Sequence, residues 1–114
     1  FMSNLNSIKY NTDLDITGQC NYAFTVILRK PDMDERNRIE ALLNDNNIEF
    51  RRGLSGGGNQ LRQPYIERYG LDVTDEVLAS KFANADHIHK YSWYIGNYPS
   101  LEKDKIVNLL TLLN

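Results

Sequence analysis

Three observations in the sequence predict an α+β two-layer sandwich: a small three- to four-stranded mixed or antiparallel sheet with helices on one face. A strand, a helix and a second short strand follow one another between Asn21 and Arg51. A last short strand precedes a terminal amphipathic helix. The chain has 114 residues, the size of one domain with room for one modest core. With so few strands, laying the helices on one face of the sheet is the simplest packing.

Residues 1–19 are polar and lack a sustained period, so they read as an entry linker. From Asn21 to Arg29, Tyr22, Phe24, Val26 and Leu28 fall on one face and Ala23, Thr25 and Ile27 on the other. Both faces are largely apolar, which predicts a well-buried strand. Pro31 ends it. Asp32 can cap the next helix with Glu35 three residues on, and Ile39, Leu42 and Leu43 supply its apolar stripe over 33–46. Asn46-Asn47 closes that helix, because Asn tolerates the left-handed C-terminal conformation.

Ile48 and Phe50 alternate with Glu49 and Arg51, which predicts a second short strand. The glycine segment Gly53-Leu54-Ser55-Gly56-Gly57-Gly58-Asn59 comes next. It suits no regular structure, and residues 53–60 are expected to be poorly ordered without a partner surface. Thr74 or Asp75 can start a short helix carrying Val77, Leu78 and Phe82, and Ser92 to Ile95 reads as a strand. Ser100 is placed to cap a final helix over 101–113, whose Ile106, Leu109, Leu110 and Leu113 share a face.

Composition narrows the function. The formal charge of −2 offers no global field for nucleic acid or acidic lipid, although a local basic cluster can still take a phosphate. Cys20 is the only cysteine, so neither an internal disulfide nor a thiolate metal cluster can form, and a reducing cytoplasm is the expected location. Apolar runs such as Thr25-Val26-Ile27-Leu28 fall far short of the ~20 residues that cross a bilayer. No basic-then-apolar signal opens the chain, and Phe1-Met2-Ser3 reads as a cut from a longer protein.

Arg51 and Arg52, followed by three glycines and then Asn59, Gln60, Arg62 and Gln63, put cations and amides beside a backbone able to turn its N–H groups outward. Such a loop suits phosphate or sugar hydroxyls; the bland reading is a surface turn with solvated arginines. No Lys-Ser/Thr follows the glycines and no G-x-G-x-x-G spacing occurs, so the common nucleotide-loop motifs do not apply. Asp86, His87 and His89 are possible metal ligands, since the two histidines share a face if extended and diverge if helical, but without a third His solvated or locally bonded histidines are expected instead of a metal site. Tyr91, Trp93 and Tyr94 form either a stacking platform or core. No catalytic triad is legible, and none of the six lysines sits in an apolar setting that marks a Schiff-base nucleophile.

Gly58-Asn59-Gln60-Leu61-Arg62-Gln63-Pro64 resembles the small domain of the DegT/StrS-type family of pyridoxal-phosphate-dependent sugar aminotransferases and dehydratases. It is most similar to the branch with nucleotide-sugar 3-dehydratases, which carry Gly-Asn, two residues, then Arg-Gln-Pro. Asn84-Ala85-Asp86-His87-Ile88-His89, Trp93-Tyr94-Ile95-Gly96-Asn97-Tyr98-Pro99 and Cys20-Asn21-Tyr22-Ala23-Phe24 are similar to further family segments, in the family's order. The triple glycine departs from the pattern.

The resemblance implies that residues 20–114 are the C-terminal small domain of a fold-type I enzyme acting on nucleotide-linked keto-deoxy sugars, in lipopolysaccharide O-antigen or other deoxysugar synthesis. Pyridoxal phosphate or pyridoxamine phosphate would be held by a large domain upstream, with a homodimer mate, and this segment would bind none and be inactive alone. Arg51, Arg52, Ser55, Gly58, Asn59 and Arg62 are the implied substrate-binding residues, on a loop closing over the sugar nucleotide. Arg62 reads equally as a clamp on the loop. No catalytic, cofactor-binding or metal residue is expected here. The alternative is a stand-alone binding module of the same fold. An RNA clamp at Gly53-Leu54-Ser55-Gly56 is disfavoured by net charge.

Overall fold

The computed structural model describes residues 1–53, 58–71 and 73–114. Among them, three strands form one antiparallel sheet in the order β1 (Ala23–Ile27), β3 (Ser92–Gly96), β2 (Phe50–Arg52). The helices are α1 (Met33–Asp45), the single turn α2 (Tyr65–Arg68), α3 (Asp75–Lys81), α4 (Ala83–Tyr91) and α5 (Lys103–Leu113). The predicted α+β architecture is therefore the observed one.

Register explains the core. Phe24 and Phe50 both stand opposite Ile95, and Val26 stands opposite Trp93, so one sheet face presents an apolar row. Ile39 and Leu43 of α1 and Leu109 and Leu113 of α5 bury themselves with that row, joined by Leu28 at the end of β1. The α1 stripe and the α5 stripe are the ones their helical spacing predicts. Trp93 is fully buried and donates its indole N–H to Glu40 Oε1 at 2.9 Å, which ties the central strand to α1.

The ends of α1 follow local chemistry. Asp32 Oδ1 accepts the Glu35 N–H at 2.9 Å, a cap worth ~1 kcal/mol. Asn47 turns the chain out of the helix with φ +54, in the left-handed region that Asn enters at low cost. The start of α5 differs from expectation: its N-cap is Glu102, not Ser100. Leu101 N–H bonds Tyr98 O at 2.9 Å, so Pro99 and Ser100 form a turn and the helix begins after it.

The first residues are more than a connector in this packing. Leu5 and Tyr10 are buried in the core, and Tyr10 pairs with Leu28 as an isolated bridge. Tyr10 Oη donates to the Leu113 carbonyl at 2.7 Å, and burial pushes its phenol pKa up. Lys9 Nζ reaches the same carbonyl at 2.6 Å. Phe1 stacks on Phe24 with ring centres 4.4 Å apart. A polar stretch with single buried anchors has no period, so sequence pattern alone does not reveal this role.

Candidate functional site

The two described ends of the glycine segment lie together, with Gly58 against α4. At the end of β2, Gly53 donates its N–H to Ser92 O at 2.8 Å, with φ +67. A Cβ there would lie 2.8 Å from Gly58 Cα, so the two backbones touch. Gly58 has φ +81, and a Cβ on it would stand 2.3 Å from His89 Nδ1. Both positions demand glycine twice over, for the positive φ and for the space. Residues 54–57, Ser55 included, and the expectation of poor order in that stretch lie outside the described residues.

Asn59 follows with 6% exposure. Its backbone N–H donates to His89 Nδ1 at 3.1 Å, and its Oδ1 accepts the Leu61 N–H at 3.0 Å, capping the short 3-10 turn Gln60–Arg62. Its Nδ2 is buried and makes no hydrogen bond among the described residues. A buried amide donor left unpaired costs ~1–3 kcal/mol, so this N–H2 group is primed for an acceptor oxygen.

Arg62 is held by carboxylates. Its Nε donates to Asp86 Oδ1 at 2.5 Å and its Nη2 to Asp75 Oδ1 at 2.8 Å, while Lys90 Nζ lies 2.7 Å from Asp86 Oδ2. The Arg62 hydrogen bond, helped by Lys90 and opposed by burial, holds the Asp86 carboxyl at about 2. Arg62 thereby joins the turn after the glycines to α3 and α4. This geometry favours the clamp role for its Nε and Nη2.

Successive strand residues face opposite ways, so Arg51 and Arg52 do not act as a pair. Arg52 stands opposite buried Trp93 and donates to Glu40 through Nε at 2.8 Å and Nη2 at 2.5 Å. Burial alone would raise the Glu40 carboxyl, but bonds from Arg52 and Trp93 outweigh it and hold it below the usual range. Arg51 stands opposite Tyr94, largely exposed, and its ion pair to Glu49 is a loose 4.0 Å. Of the two, Arg51 keeps its charge more available to an anion.

The structure thus gathers Gly58, Asn59 and Arg62 around α4 and leaves Arg51 and Arg52 on β2. Asp86 and His89 complete the site, and sequence reasoning gave them no such role. They lie three apart, on one helical face, a relation legible only once 83–91 is helical. Neither histidine is solvated or locally bonded as expected. His87 Nε2 donates to Leu28 O, 59 residues away, at 2.6 Å, and its ring tilts against Tyr91. His89 bonds Asn59, 30 residues away.

All six lysines lie among the described residues. Lys9 is paired with Glu35 and Lys90 with Asp86, while Lys30, Lys81, Lys103 and Lys105 are exposed. Among the described residues no group of three or more His, Cys, Asp or Glu side chains is arranged to hold a metal ion, and no helix is long and apolar enough to cross a membrane.

A three-stranded antiparallel sheet carrying these helices matches a small domain of pyridoxal-phosphate enzymes. One solved structure that shares it is a GDP-4-keto-6-deoxymannose-3-dehydratase with a trapped PLP-glutamate geminal diamine, at TM-score 0.62 and 26% identity, covering 82% of this chain and 22% of that one. Another is an E. coli GDP-4-keto-6-deoxy-D-mannose-3-dehydratase with bound hydrated PLP, at TM-score 0.60 and 26% identity, covering 81% of this chain and 22% of that one. These are enzymes of the kind the chain resembles at Gly58–Pro64, on the dehydratase branch. The chain spans 22% of their length. No protein-family model and no curated protein matches it.

Proposed function

We propose that this chain is the C-terminal small domain of a pyridoxal-phosphate-dependent enzyme that dehydrates or transaminates nucleotide-linked keto-deoxy sugars, for lipopolysaccharide O-antigen or other deoxysugar synthesis. In this reading a large domain upstream holds pyridoxal or pyridoxamine phosphate, the parent is a cytoplasmic homodimer, and the segment alone neither binds the cofactor nor turns over sugar. When bound there, the cofactor supplies the electron sink for bond cleavage beside the keto group. This chain's share is to bind and enclose the substrate.

The observation that carries the reading is the buried Asn59 Nδ2 at the foot of the glycine loop, without a partner among the described residues. A sugar hydroxyl or phosphate oxygen would supply an acceptor for this donor. Arg51 adds a cation for phosphate, and Gly58 lets the backbone approach closely. Ser55 is a further proposed contact. Arg52 and Arg62 act on substrate mainly by fixing β2 and the loop, since Glu40 and the aspartates engage them.

The test is an assay of the full-length polypeptide that carries this segment. Consumption of a nucleotide-linked 4-keto-6-deoxy sugar, with absorbance of bound pyridoxal phosphate that maps outside residues 1–114, is the expected result. A polypeptide that ends at this segment and binds sugar nucleotide without turnover would instead establish the stand-alone module.

A further inference from the structure

We propose that His89 is a positioning residue whose neutral imidazole holds the foot of the glycine loop, so that protonating the ring releases Gly58 and Asn59. The hold is a single oriented bond. Nδ1 accepts the Asn59 N–H at 3.1 Å, and a ring nitrogen that accepts carries no proton, so the bound tautomer is neutral with its hydrogen on Nε2. Protonation converts Nδ1 into a donor facing a donor. The ring cannot be avoided by the chain, because Gly58 is packed on it so closely that even a Cβ would stand 2.3 Å from Nδ1.

The surroundings oppose the charged ring. Burial disfavours the imidazolium most, and Arg62 of the 3-10 turn, Lys90 of α4 and Arg52 of β2 repel it, with only Asp86 of α4 attracting it. The balance lowers the pKa below the ordinary 6.5. Arg62 and Lys90 are themselves partnered with Asp86, which stays ionised through the relevant range. Gly58 and Asn59 are therefore held at neutral pH and released as pH falls below the pKa of an ordinary histidine. His87 makes a different contact, its Nε2 donating to the Leu28 carbonyl at 2.6 Å.

The hold itself is independent of what the loop binds; its consequence for substrate rests on the proposed function. Nitrogen-15 NMR of this 114-residue chain tests it without any ligand. Over about pH 4.5–8 the Asn59 amide signal is expected to titrate with the His89 ring, and its hydrogen exchange, corrected for intrinsic pH dependence, to quicken by ~10-fold or more on the acid side. His89→Asn places an acceptor oxygen near Nδ1 that cannot protonate, so it should keep the Asn59 amide protected at all these pH values. His89→Ala should leave it unprotected throughout. An Asn59 amide indifferent to pH while the wild-type His89 ring titrates would overturn the proposal, as would a His89→Asn variant whose Asn59 amide titrates like wild type. The wild-type titration decides even if His89→Ala does not fold.

Discussion

Arg62 Nε donates to Asp86 Oδ1 at 2.5 Å across 24 residues of sequence, and this one bond fastens the turn after the glycine loop to α4. Asp86 is nearly buried while Arg62 keeps Asp75 as a second, exposed partner. Asp86→Asn removes the charge but preserves the shape, leaving Arg62 and Lys90 without their shared anion. It should cost ~1–3 kcal/mol, less than a fully buried pair, because Asp75 and water compensate Arg62 in part. Urea unfolding should show a lower midpoint with an unchanged slope. A midpoint equal to wild type would deny the clamp.

Stability should fall in acid through two named carboxylates. Asp86 is lowered from 3.8 to about 2, chiefly by Arg62, and Glu35 from 4.5 to about 2, chiefly by Arg38 with Lys9 helping against burial. A depressed folded pKa gives stability that is present above the ordinary value and is lost as pH drops through the folded one. Unfolding midpoints should therefore drop steeply between about pH 4 and 2. In the Asp86→Asn, Glu35→Gln double variant the drop over that range should be visibly shallower. His89 adds an earlier and separate loss below 6.5, since its pKa too is lowered.

Glycine at 58 and at 70 separates strain from contact. Both have positive φ, +81 and +67, but among the described residues a Cβ on Gly70 meets nothing within 4 Å whereas one on Gly58 meets the His89 ring. Gly70→Ala should cost the backbone term alone, ~1 kcal/mol, and Gly58→Ala more, by ~1–3 kcal/mol further. In a His89→Ala background the excess at Gly58 should shrink. A double-mutant cycle with no coupling between 58 and 89 would contradict the seating of Gly58 on the His89 ring.

The sequence carried the sheet and its two covering helices in plain sight, since Phe24, Val26, Ile39, Leu43, Leu109 and Leu113 all fall where period predicts and all face the core. Helix α4 was hidden for a physical reason. Its N-cap, Phe82, makes no side-chain cap bond, so no polar start signal precedes it, and its residues 83–85 are exposed. The glycine, amide and arginine chemistry of 58–62 was legible from composition. Its partners His89 and Asp86 were not, because contacts across 24 to 30 residues depend on where a helix lands.

Arg51 and Arg52 should respond oppositely to truncation. Arg52→Ala strips Glu40 of its guanidinium beside the indole of Trp93, so it should lower stability by ~1–2 kcal/mol and shift tryptophan emission. Arg51→Ala breaks only a loose exposed pair and should melt like wild type. In the proposed full-length enzyme Arg51→Ala should still raise KM for the sugar nucleotide, because the proposed phosphate contact is lost. An Arg51→Ala enzyme with unaltered KM would remove Arg51 from the site.

Asn59 has two jobs that a pair of substitutions can divide. Its Oδ1 caps the Leu61 N–H, a structural task, and its Nδ2 is the buried donor without a partner among the described residues. Serine keeps a capping oxygen but cannot extend a second group past it, whereas alanine keeps neither. Asn59→Ser should therefore melt close to wild type and Asn59→Ala should lose ~1 kcal/mol. On the proposed function, both should weaken use of the sugar nucleotide by ~10-fold or more in the full-length enzyme, since the proposed substrate oxygen loses its buried donor. The decisive comparison is steady-state kcat/KM beside thermal melts for the two variants, with His87→Ala as a control outside the loop. If Asn59→Ser retains full kcat/KM, Nδ2 meets no substrate and the amide serves only the turn. If it loses activity while folding normally, the unpaired donor is the substrate contact that its burial calls for.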